Sequence, residues 1–191
     1  MKNEKIKRLV LAALFMALGQ VLPFFTGQIP QIGKMLLPMH IPILLCGFIC
    51  GWRYGAAVGF LTPLLRSAMF GMPVFFPTAI SMAFELMTYG FVSGFLYGNS
   101  RWKCMRALYR SMIIAMVSGR VVWGIAQMAL LGIGEGKFTL QIFLAGAFFN
   151  AIPGIILQLI AIPAIMLALN KTGLVPFFKE NGKEVRSHVG K

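Results

Sequence analysis

Between Leu9 and Leu169 this chain is a succession of six apolar runs, and only one acidic side chain, Glu85, falls inside any of them. The runs extend approximately over Leu9–Phe25, Leu36–Gly51, Tyr54–Phe70, Thr78–Gly98, Ser111–Ile133 and Leu140–Leu169. About 20 apolar residues cross a bilayer as a helix. The pattern therefore predicts an all-α integral membrane protein with six transmembrane helices in a single domain over residues 1–191. The first three runs are short for a full crossing, so bilayer thinning or longer true helices must supply the difference. The last is long, and Pro153 and Pro163 are expected to kink it. Charged residues make up 12% of the chain. Soluble domains carry about 25%, so a globular surface could not be solvated here.

A net charge of +13 would suit nucleic acid, but the positions of the charges exclude that reading. Fourteen of the 18 Lys and Arg residues cluster at one set of run ends: residues 2–8, Arg53, residues 101–110 and residues 171–191. The opposite loops hold only Lys34 and Lys137, and Arg66 and Arg120 lie within runs. Lys and Arg mark the cytoplasmic side, so both termini are expected in the cytoplasm, with 171–191 as a basic tail. An even number of spans is what this bias requires. The basic N-terminus resembles a signal peptide, but no small-residue cleavage site follows, and it reads as the first span. Cys46, Cys50 and Cys104 are an odd set without a CxxC pair, which indicates neither a disulfide framework nor a zinc site.

A charge at the bilayer centre costs about 2.5–3.5 kcal/mol on insertion scales, so each one there needs a reason. Counting about 1.5 Å per helical residue puts Glu85, Arg66, Gln127 and Asn150 in the outer half of the bilayer. His40 opens the second helix on that side, and Arg120 lies near mid-span. Trp123 and Gln127 continue the Arg120 face outward at i+3 and i+7. These residues come from five helices, and a pocket open to the outside would explain why they share one leaflet. Other readings stay open: Arg66 snorkelling to headgroups, a Glu85–Arg120 staple between helices, a lipid-facing Trp123, an interfacial His40, and an Asn150 bond between helices. The loops Thr26–Leu37 and Gly71–Pro77, rich in Gly, Pro and apolar residues, either fold over such a site or lie among headgroups.

Two stretches mimic catalytic motifs. The segment Gly132-Ile-Gly-Glu-Gly-Lys137-Phe-Thr139 lacks the first Gly of a phosphate loop and has Phe138 where Ser or Thr must follow the Lys. Ser93-Gly94 lacks the GxSG order of an intramembrane serine protease, and the only His within the membrane, His40, lies at the opposite face. No enzymatic activity, cofactor or metal is expected.

Three segments carry a family resemblance. Ala13-Leu-Phe-Met-Ala17 matches an AxxxA pattern, in which small residues four apart let another helix approach closely. The stretches Met39–Gly55 and Ala83–Gly94 resemble the second-to-third helix turn and the fourth helix of the same family. The chain resembles, over nearly its whole length, the S components of energy-coupling factor (ECF) vitamin transporters. The resemblance implies a high-affinity binding subunit in the plasma membrane of a bacterium. Its partners would be a transmembrane T component, docked at Ala13 and Ala17, and two cytoplasmic ATPases that drive uptake. It also implies that substrate is held by the outer halves of helices 4 to 6 and the outer loops. Glu85, Tyr89, Arg120, Trp123, Gln127 and Asn150 match that region here. Two Arg against one Glu favour a substrate bearing a carboxylate, with pantothenate first and folate, a pyridoxine-type vitamin or a queuosine precursor behind it. The rival reading is an autonomous secondary transporter coupled to protons through Glu85.

Overall fold

In a computed structural model the described residues, 2–25, 38–100, 104–132 and 152–171, form six helices and no strand. These are α1 (Lys2–Phe25), α2 (His40–Cys50), α3 (Trp52–Phe70), α4 (Ile80–Gly98), α5 (Met105–Gly132) and α6 (Ile152–Lys171). A short kinked segment, Phe75–Ala79, with Phe76 in extended conformation, leads into α4. Each helix falls on one of the six apolar runs, as expected for an all-α protein.

Four of the helices are long and apolar enough to cross a membrane, over Lys5–Phe24, Phe75–Gly98, Met105–Leu131 and Ile152–Asn170. The first run gains its length as expected, because α1 begins at Lys2 rather than Leu9. α2 and α3 depart from the expectation of six spans for separate reasons. The described α2 has 11 residues, about 16 Å at 1.5 Å per residue, or roughly half the hydrocarbon thickness. α3 has 19 residues, but Arg53, Arg66, Gly55 and Gly59 dilute its apolarity.

The short α2 sits at the centre of the bundle. α1, α3, α4 and α6 all pack against it, and every residue except Ile49 is buried. A helix that is apolar all round belongs in such an interior position. Its connection to α3 is a single residue, Gly51, held at φ +95°, a conformation that glycine adopts without a side-chain penalty. The Gly51 N–H donates to the Gly47 carbonyl at 3.1 Å and closes α2.

The α2–α3 hairpin then docks on α4 almost backbone to backbone. A Cβ on Gly94 would lie 2.6 Å from the Trp52 nitrogen, and one on Gly90 would strike the Gly55 backbone. Small residues permit this approach, and it replaces side-chain packing with close backbone contact. α5 lies along the other side of α4, with Gly119 against the Tyr89 ring. α6 packs on α2 and α5, burying Gln158, Ile162 and Met166. The result fixes α4 between α3 and α5, with the head of α2 beside it. Asn150, the loop 26–37, the tail beyond 171 and the glycine-rich stretch after Gly132 lie outside the described residues.

Candidate functional site

Residues four apart share one face of a helix, so Ser81, Glu85 and Tyr89 stack along α4 over two turns. All three are buried. α5 runs antiparallel to α4 and brings Arg120 and Gln127, two turns apart, to that face. The Gln127 amide nitrogen donates to Ser81 Oγ at 3.0 Å. One step along the seam, Arg120 Nη1 lies 3.1 Å from Glu85 Oε1. His40, the first residue of α2, approaches the same carboxylate oxygen with Nε2 at 3.6 Å. Its ring meets Tyr89 edge-on, with centroids 5.0 Å apart. The Tyr89 hydroxyl engages both Glu85 and Arg120.

His40, Glu85, Tyr89 and Arg120 are each no more than 5% exposed. Removing a charge from water costs several kcal/mol per ion, and pairing offsets this only when the geometry is good and the remaining polar atoms are bonded. Here the second condition is only partly met. Among the described residues, Nε and Nη2 of Arg120 find no hydrogen-bond partner. A guanidinium carries five N–H donors in a rigid fork and binds a carboxylate through two parallel bonds. Glu85 Oε1 likewise has no hydrogen-bond partner among the described residues, so its 3.1 Å contact with Arg120 is an ion pair, and guanidinium donors remain for a second acceptor.

Arg66 is not part of this cluster. Its Nη1 donates to the Gln20 carbonyl of α1 at 2.5 Å, and its guanidinium lies 5.0 Å from the Phe24 ring and 5.3 Å from the Phe70 ring. The Gln20 amide in turn donates to the Thr62 carbonyl at 2.9 Å. Arg66 is buried at 4% exposure, which replaces the snorkelling alternative with a clasp between α1 and α3. Trp123 is half-buried, one turn beyond Arg120 on α5. Asn150, the remaining candidate, lies outside the described residues.

The helix α1 buries Ala12, Phe15, Gly19 and Pro23 against the bundle. Ala13 and Ala17 lie on its opposite side, exposed among Leu9, Val10, Leu14 and Val21. Among the described residues, then, internal packing does not consume the two alanines.

Several residues escape sequence reasoning. Ser81 is visible only as a small hydroxyl one turn ahead of Glu85. Gly119 has no polar signal, yet it makes room for Tyr89 beside Arg120. Gln158 is an amide in the middle of the most apolar of the four candidate spans, and it is buried to 1% with its nitrogen unbonded among the described residues.

The model of a protein family described as ECF transporter, substrate-specific component, matches residues 7–166. No curated protein and no solved structure matches the chain. The matched span covers α1 through most of α6 and includes every residue of the cluster, so the chain belongs to the substrate-specific components of ECF transporters.

Proposed function

We propose that this chain is the membrane-embedded binding subunit through which an ECF-type importer captures a vitamin-sized micronutrient from outside a bacterial cell. It crosses the plasma membrane six times with both termini in the cytoplasm. A T component docks against Ala13 and Ala17, and two ATPases supply the energy. The substrate meets Arg120 at the floor of a pocket whose walls include His40, Glu85, Tyr89, Trp123, Gln127 and Asn150, with Arg66 bracing α1 behind them. The observation that carries the site is the buried Arg120 fork, ion-paired with Glu85 and with two nitrogens unbonded among the described residues. Such a fork suits an anion. Among vitamins this ranks the carboxylates, pantothenate and then folate, ahead of a pyridoxine-type vitamin or a queuosine precursor.

The decisive experiment has two halves. Mass spectrometry of the purified chain identifies the small molecule that leaves with it on denaturation. Uptake of that molecule is then measured in cells with and without the T component and ATPases. Uptake that requires the ATPases supports the proposal. Glu85, buried between His40 and Arg120, is also placed to exchange a proton. Uptake that persists without the ATPases and collapses with a protonophore would establish the secondary transporter instead.

A further inference from the structure

Arg106, Tyr109, Arg110, Ile113, Val117 and Arg120 follow helical spacing and share one face of α5. Arg106 and Arg110, in the first turns of the helix, are exposed, and Ile113 and Val117 beyond them are 50% and 52% exposed. Among the described residues, ion pairs join only His40, Glu85 and Arg120, so neither Arg106 nor Arg110 has a carboxylate partner there.

Further along this face a cavity of about 260 Å³ lies between α5 and α6, lined by Ile113, Met116, Val117, Arg120, Ile155 and Leu159. Its wall exposes only apolar atoms. Arg120 therefore contributes the carbon stem of its side chain and keeps its guanidinium in the α4 seam. The Tyr109 hydroxyl donates to the Leu159 carbonyl at 3.3 Å, which ties α6 to α5 at the edge of the cavity. An apolar cavity of this kind stays dry, and the exposed Ile113 and Val117 turn its mouth toward the bilayer hydrocarbon.

We propose that this α5–α6 face binds one anionic phospholipid, with the phosphate on Arg106 and Arg110 and an acyl chain in the cavity. The lipid belongs to the leaflet at the start of α5, the cytoplasmic one in the topology proposed above. Ile113 and Arg120 lie three and ten residues beyond Arg110, about 4.5 and 15 Å along the helix. The hydrocarbon of one leaflet is about 15 Å deep, so a chain hung from this headgroup position runs past the whole cavity. Each arginine near a membrane surface contributes about fivefold to affinity for anionic lipid, and a guanidinium grips a phosphate through two hydrogen bonds. A partner helix docked here would bury both arginines and would need carboxylates of its own to pair them. A phospholipid supplies the anion and the hydrocarbon in one molecule, at the observed spacing. The solute-binding reading enters only through the choice of leaflet, so either can fail alone.

The test places the full chain in nanodiscs of equimolar phosphatidylglycerol and phosphatidylcholine, and native mass spectrometry counts the lipids that each chain retains. One phosphatidylglycerol per chain is expected, favoured over phosphatidylcholine by about twenty-five-fold, or fivefold for each arginine. Arg106→Gln combined with Arg110→Gln should equalise the two lipids. Arg53 lies on α3, away from the cavity, with its guanidinium 5.0 Å from the Trp52 ring, and Arg53→Gln should leave the preference intact. Val117→Phe, and independently Ile155→Phe from the α6 side, should fill the cavity and lower retention of phosphatidylglycerol. The glutamine variants change exposed side chains, and they decide the headgroup contact even where a cavity variant fails to fold. A preference that survives the double glutamine variant, or that falls as far in Arg53→Gln, would overturn the site and leave only diffuse attraction to an anionic surface. Unchanged retention in both cavity variants would overturn the acyl-chain seat. No retained lipid, with Val117→Cys cross-linking to the T component in the assembled importer, would overturn the site and give the face to a partner helix. A solute that co-purifies with a chain retaining no lipid would overturn this proposal and leave the solute-binding function standing.

Discussion

Arg120 Nη1 and Glu85 Oε1 meet at 3.1 Å inside the α4–α5 seam, where His40 Nε2 also comes within 3.6 Å of the same oxygen. A buried pair of this kind can serve stability, recognition or both. Removing one partner of a buried pair leaves an uncompensated charge and typically costs about 3–5 kcal/mol.

The two roles separate by experiment. Arg120→Ala should weaken substrate binding by about 2–5 kcal/mol, and Arg120→Lys should restore little of it because a point charge cannot reproduce the two-pronged fork. Melting temperatures of the apo and substrate-bound protein check the alternative. An Arg120→Ala protein that binds normally but melts early, with Glu85→Gln melting early as well, would make the pair a structural staple.

Ala13 and Ala17 lie on the exposed side of α1, away from the buried stripe of Ala12, Phe15, Gly19 and Pro23. Replacing both with Trp should block a partner helix from approaching while leaving the bundle intact. Transport in cells with the T component should fall, and substrate binding to the isolated chain should persist. Loss of both together would mean that the alanines support the protein's own packing.

The helices were legible because apolar runs report burial or lipid exposure directly. Their ends were less so. α5 starts at Met105, six residues before its apolar run, because Arg106 and Arg110 read as loop although they occupy the first turns of the helix. Within the candidate site, Glu85 and Arg120 were legible as costly charges within successive helices, one in the outer half of the bilayer and one near mid-span. The clasp of Arg66 on Gln20 was not. Spacing places Thr62 and Arg66 on one face of α3, but no periodicity within α3 tells whether that face meets α1 or α4. Gly55, Gly59, Thr62 and Arg66 share one face at i, i+4, i+7 and i+11, and the face is divided along its length: its first half meets α4 at Gly55 and Gly59, and its second half meets α1 at Thr62 and Arg66.

The bias of fourteen Lys and Arg to two predicts that Lys103 lies in the cytoplasm and that Lys34 and Lys137 lie outside. Single cysteines at these positions, on a chain without its three native cysteines, should react with an impermeant maleimide in intact cells at 34 and 137 but not at 103. Labelling of position 103 from outside would invert or break the six-span topology.

Gly90 tests what holds α4 in place. A Cβ built there would fall 2.9 Å from the Gly55 Cα and nearer still to its carbonyl carbon and oxygen, all of them backbone atoms. A flexible side chain could swing aside, but backbone cannot, so α3 and α4 must separate. Gly90→Ala should therefore destabilise the apo protein by about 1–3 kcal/mol, the usual cost of overpacking a tight interior. Gly98 supplies the control on the same helix, since nothing lies within 4 Å of a Cβ there. Gly98→Ala should leave the melting temperature of the purified protein nearly unchanged. The two substitutions add the same methyl group, and because Gly→Ala gains more helix propensity at the interior Gly90 than at Gly98, the last residue of α4, any greater loss at Gly90 reports the contact with Gly55. Because Tyr89 precedes Gly90 and Glu85 lies little more than one turn away, separation at this point should also shift the Glu85 carboxylate relative to Arg120. Substrate affinity of Gly90→Ala should then fall along with its stability, while that of Gly98→Ala should not. Equal melting temperatures for the two variants would show that the α3–α4 contact is looser than this geometry, and that the position of Glu85 does not depend on it.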